Sequence, residues 1–163
     1  MARFFVGALC GPGARELNER AVSPLVHAYL QGYFVGVYRE YEAPVGRSAT
    51  RVDFRFGDWP HGSNPCVMEL AVRGTRTNQS CLSASTNRPE LAKLSRFARD
   101  RASGGRLLLL LDFGVHALAR DRVLQQYKAE HLGPGRFDRS NVSVLYVHRD
   151  SDYNFVWKPY ANS

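Results

Sequence analysis

The sequence predicts an α/β fold, a mixed central sheet flanked by helices. Stretches with apolar residues at helical spacing alternate with stretches of β-branched and aromatic residues. Their order is helix, three strands, helix, strand, helix, strand, which packs most simply as helices covering a sheet. A chain of 163 residues that is 44% hydrophobic can close one core, so residues 1–163 read as a single domain.

The first helix is expected from Ala14 to Leu30, where Leu17, Ala21, Leu25 and Tyr29 recur on one face. Pro24 lies inside it, so either a bend or two short helices with Ser23 as a cap is expected. Glu16, Glu19 and Arg20 fall on its polar face. Tyr33 to Tyr41 reads as a strand, followed by a turn at Pro44, Gly46 and Ser48. In Arg51 to Phe56, the polar Arg51, Asp53 and Arg55 alternate with Val52, Phe54 and Phe56, the period of a half-buried strand. The loop Gly57 to Pro65 joins it as a hairpin to Cys66–Arg73, in which Val67, Glu69, Ala71 and Arg73 share one face. Ser85 or Thr86 caps a helix through Leu91, Leu94 and Phe97, which ends at Ser103, Gly104 and Gly105. The continuous apolar run Arg106 to Phe113 reads as a strand covered on both faces. Ala117 to Glu130 is a further amphipathic helix, closed by Gly133, Pro134 and Gly135, and Val142 to Val147 is a last strand. The aromatic tail, residues 150–163, is expected to pack as an edge strand.

The longest apolar run, Leu107 to Leu111, is far short of the roughly 20 residues a membrane helix needs. The run Phe4 to Cys10 lacks the flanks and cleavage pattern of an export signal. Cys10, Cys66 and Cys81 have neither disulfide nor zinc spacing, and together these features favour a reducing cytoplasm. A net charge of +7 suits a polyanionic partner, nucleic acid first and DNA before RNA, although solubility charge gives the same sum. Gly11-Pro12-Gly13 and Gly133-Pro134-Gly135 lack the residues of a phosphate loop and read as turns, and the five histidines are scattered without ligand spacing.

The chemistry-bearing feature is the pair Asp53 and Glu69 on neighbouring strands. Adjacent carboxylates repel, and a fold that builds them side by side usually compensates with a cation. Magnesium, or manganese in its place, takes oxygen ligands and often uses one or two carboxylates with water and phosphate. A nearby positive side chain would stabilise charge on phosphorus.

At the level of the core, from about Ala14 to Val147, this arrangement resembles the PD-(D/E)xK nuclease superfamily, with its restriction-endonuclease-like fold. The resemblance implies a helix acid at Glu16, a strand acid at Asp53 in Arg-Val-Asp-Phe and a second at Glu69 in Val-Met-Glu-Leu-Ala. It also implies a magnesium or manganese ion on Asp53, Glu69 and Glu16, and cleavage of phosphodiester bonds. The family's lysine position is Ala71 here, a departure at the residue tied to nucleophile activation. Lys93 on the following helix is one replacement, as where the family's lysine has migrated. Arg73 is the other, able to supply charge but not to act as a base.

Ordinary structural roles stand beside each of these assignments. Glu69 could pair with Arg51 or Arg55 across the hairpin, Lys93 with Glu90 three residues earlier, and Glu16 could be a solvated helix residue. Arg51, Arg55, Arg76, Asn87 and Arg88 are the candidate phosphate contacts, against the reading of a polar surface loop. The expected function is a metal-dependent nuclease. The alternative is an inactive module of the same fold that binds nucleic acid, a protein partner or a second copy of itself. An enzyme acting on a small nucleotide has no fingerprint in the sequence.

Overall fold

The computed structural model describes residues 17–45, 48–57, 65–74, 79–97, 105–129, 142–148 and 151–157. Its elements are α1 (Glu19–Gln31), β1 (Tyr38–Val45), β2 (Ser48–Phe56), β3 (Cys66–Arg73), a 3₁₀ turn (Gln79–Leu82), α2 (Arg88–Phe97), β4 (Gly105–Asp112), α3 (Arg120–Ala129), β5 (Val142–His148) and β6 (Ser151–Trp157). The strands form one six-stranded sheet in the order β1-β2-β3-β4-β5-β6. Pairing is antiparallel for β1–β2, β2–β3 and β5–β6, and parallel for β3–β4 and β4–β5. The mixed α/β class is therefore as expected, and the tail supplies an edge strand at Ser151–Trp157.

The two parallel steps explain where the helices go. Right-handed crossovers that advance in one direction across a sheet place their helices on the same face. Leu91, Leu94 and Phe97 of α2 and Val123 and Tyr127 of α3 accordingly share one core with Val67, Ala71, Leu108, Leu110, Val142 and Val144. On the other face Val22, Val26 and Leu30 of α1 pack with Phe54, Phe56, Met68, Leu70, Leu109 and Leu111. β4 contributes to both cores, which is why its sequence is apolar without alternation.

Several boundaries differ from expectation. Among the described residues α1 begins at Glu19, because the Asn18 side chain caps it by accepting from the Ala21 N–H at 3.0 Å. Pro24 lies within one continuous helix, and Ser23 caps nothing. The segment 33–37 is not strand: it follows α1 as a turn with Tyr33, Phe34 and Val35 exposed, and β1 starts only at Tyr38. Aromatic and β-branched composition there signals a strand, but Gly36, at a φ of 65°, turns the chain ahead of β1. Neither Ser85 nor Thr86 caps α2; Asn87 precedes it and accepts the Leu91 N–H at its carbonyl. Pro44 is tolerated in β1 because this strand is an edge, with no ladder on its outer side.

Candidate functional site

The ladder between β2 and β3 pairs Phe56 with Cys66, Arg55 with Val67 and Phe54 with Met68, then stops. Both strands continue past that point, so the next residues in register, Asp53 and Glu69, stand where the sheet opens. The Leu70 N–H, which has lost its strand partner, donates instead to Asp53 Oδ2 at 2.7 Å. A side chain thus replaces a backbone acceptor and pins the Asp53 carboxylate in the fork. Val52 belongs to the α2–α3 core whereas Phe54 and Phe56 belong to the α1 core, so the alternation expected through Arg51–Phe56 breaks at Asp53.

Glu69 is 1% exposed and faces the layer that carries α2. Its Oε1 lies 2.8 Å from Lys93 Nζ, yet that buried oxygen has no donor in good hydrogen-bond alignment. Burial and the Asp53 charge push the Glu69 carboxyl up to about 8, Lys93 opposes the rise, and hydrogen bonding to Asp53 adds to it. Glu19, exposed in the first turn of α1, is also raised, by the packing around its carboxyl and then by the charges of Asp53 and Glu90, with Lys93 pulling the other way. Four acids and one lysine therefore influence one another across α1, β2, β3 and α2.

The packing of α2 accounts for the lysine. Ala71 is buried in one core with Leu91 and Leu94, which lets the helix lie close over β3 and leaves no room for a long side chain at position 71. The ammonium reaches Glu69 from the helix instead. Lys93 thus pairs with Glu69 and Glu69 with neither arginine. Arg51 is ion-paired to Glu40, and the Arg55 guanidinium sits over the Tyr38 and Tyr41 rings at 5.6 and 4.7 Å from their centroids.

Other sequence candidates lie elsewhere. Arg73 does not approach the acids: it is buried, and its Nη1 donates to Asp112 Oδ2 at 3.0 Å. Asp112 also accepts from the Tyr146 hydroxyl at 2.6 Å and the Gly114 N–H at 2.8 Å, and a Cβ at Gly114 would strike the Arg73 guanidinium. This network ties the ends of β3, β4 and β5 together. Asn87 is not a surface contact; its buried amide donates to the carbonyls of Cys81 and Ser83 and to the Tyr127 hydroxyl. Arg88 is exposed. Glu16, Arg76 and His61 lie outside the described residues. Glu19, expected only on the polar face of the first helix, comes under the influence of these acids because Asn18 caps the helix and makes Glu19 its first-turn acid.

Among the described residues no group of three or more His, Cys, Asp or Glu is arranged as a metal cage. Magnesium commonly uses one or two carboxylates, and the two acids of the fork offer oxygen ligands, of which the buried Glu69 Oε1 has the Lys93 ammonium at 2.8 Å but no aligned donor. Asp53 and Glu69 are of the ligand type such an ion takes. A cavity of about 260 Å³ lined by Gln79, Ser83, Leu118, Arg122 and Gln126 contains none of these acids. No helix among the described residues is long and apolar enough to cross a membrane. The chain matches no protein-family model, no characterised protein and no solved structure with which it was compared.

Proposed function

We propose that the chain is a metal-dependent nuclease, built on a restriction-endonuclease-like core, that hydrolyses phosphodiester bonds of DNA at the fork between β2 and β3. The observation that carries this reading is the contact of Lys93 with Glu69 beside Asp53: two acids and a lysine of the PD-(D/E)xK type converge although the lysine comes from α2. Asp53, fixed by the Leu70 N–H, and Glu69 would hold a magnesium or manganese ion, with Glu19 at the margin. When bound, such an ion polarises the phosphate and lowers the pKa of a water.

The chain's own groups do the rest. Asp53 presents an oriented carboxylate, since one of its oxygens is already held by the backbone. Glu69 is poised to lose its proton to a cation, because burial and Asp53 disfavour its charge only while the charge is uncompensated. The Lys93 ammonium, 2.8 Å from Glu69, would orient the attacking water or stabilise charge on phosphorus. Arg73 takes no part, being committed to Asp112.

Asp53→Ala and Glu69→Ala are expected to abolish cleavage of a labelled DNA while leaving the circular dichroism spectrum unchanged. Cleavage that persists in both variants with EDTA present would exclude the site. Salt-sensitive binding without any metal-dependent turnover would favour the inactive module instead.

A further inference from the structure

We propose that the face of β1 and β2 beside the acids is a stacking platform for unpaired nucleobases, so that the substrate of the fork is single-stranded. The use of the platform rests on the nuclease reading; the binding it predicts does not. Residues three apart in a regular strand point to opposite faces. Tyr38 and Tyr41 nevertheless both lie against the Arg55 guanidinium, with their ring centroids 6.3 Å apart. The reversal comes at Glu40, which holds a φ of 50°, a left-handed backbone that a glutamate adopts only under strain. The register places Glu40 across from Asp53, between the pairs Arg39–Phe54 and Tyr41–Val52. Across from the residue where the fork opens, this irregularity gathers two tyrosines onto one face, with Arg55 two residues, or about 7 Å of strand, from Asp53.

Tyr41 is partly buried against the core, which anchors the pair, while Tyr38 remains 48% exposed. Arg39 and Arg51 are exposed on the same two strands, Arg51 paired to Glu40, and the chain carries +7 overall. A half-exposed Tyr38 ring, backed by the Arg55 guanidinium, suits a polyanion whose bases have free faces. A duplex stacks its bases on one another and offers only edges and phosphates. Beside acids placed to cut phosphodiesters, the surface matches a single strand whose bases rest on Tyr38 while a phosphate meets Arg55 next to the fork.

The test is fluorescence anisotropy with a labelled oligodeoxynucleotide of about a dozen nucleotides, single-stranded or annealed, in EDTA so that binding is read without turnover. The single strand is expected to bind at least about tenfold tighter than the duplex. Tyr38→Ala should lose about tenfold on the single strand and little on the duplex, and Tyr38→Trp should restore it. Because EDTA removes turnover, this binding outcome is read separately from any failure of the chemistry. Tighter duplex binding, or a Tyr38→Ala variant indistinguishable from the parent on single strands, overturns the proposal. Metal-dependent cleavage that survives with a duplex preference would overturn the platform and leave the nuclease reading standing.

Discussion

Glu69 should make the metal-free protein lose stability as pH rises. In the unfolded chain its carboxyl titrates near 4.5, whereas in the fold burial and the Asp53 charge lift it to about 8. Between those values the folded state binds a proton that the unfolded state has released, so the stability Glu69 contributes is whole below 4.5 and is lost as pH climbs through 8. At about 1.4 kcal/mol per pH unit the interval sets a ceiling of about 5 kcal/mol, with on the order of 3 kcal/mol expected between about pH 5 and 8. For a domain of this size that corresponds to roughly 10 °C in melting temperature. Glu69→Gln keeps the shape and removes the titration, so its profile should fall by less than about 1 kcal/mol over the same range. Urea denaturation in EDTA at a series of pH values measures both profiles. Manganese at about pH 8 should restore the parent and leave Glu69→Gln unmoved. Parallel profiles for the two proteins would show that Glu69 ionises freely in the fold and refute the reasoning.

Lys93→Met should cut turnover by at least about a hundredfold while manganese still binds, since the ammonium acts on the attacking water or on phosphorus and is not itself a ligand; kcat and calorimetric titration together check this. Asp112→Ala should destabilise the protein by about 3 kcal/mol or more in denaturant, because it strands the buried Arg73 guanidinium, without changing metal affinity at the fork. Tyr127→Phe, which removes the hydroxyl that donates to the Leu82 carbonyl and accepts from Asn87, should cost about 1 to 2 kcal/mol in the same assay.

Where one residue pattern had one structural solution, the sequence was readable. Cys66–Arg73 formed the strand expected of it, and the unbroken run in β4 did mark a strand buried on both faces. The juxtaposition of Asp53 and Glu69 followed from the hairpin, and Lys93 was a candidate because α2 follows β3 directly. What could not be read was decided by contacts distant in sequence. Arg73 shares the strand face of Glu69, but Asp112, at the end of a strand 39 residues on, claims it. Asn87 looks like an exposed turn residue until Tyr127 closes over it. Tyr33, Phe34 and Val35 carry strand composition and lie exposed, for composition records what fits a sheet and not whether a sheet is there. The backbone reversal at Glu40 leaves no trace in sequence, because glutamate does not favour it.

Cleavage of a labelled single-stranded DNA decides whether the fork between β2 and β3 is the metal-activated cutting site proposed for it. With magnesium or manganese the parent should cut, EDTA should stop it, and Asp53→Asn and Glu69→Gln should be inactive though folded. Cutting that ignores EDTA and both substitutions would contradict the claim, as would a folded, metal-supplied parent that cuts neither single-stranded nor duplex DNA.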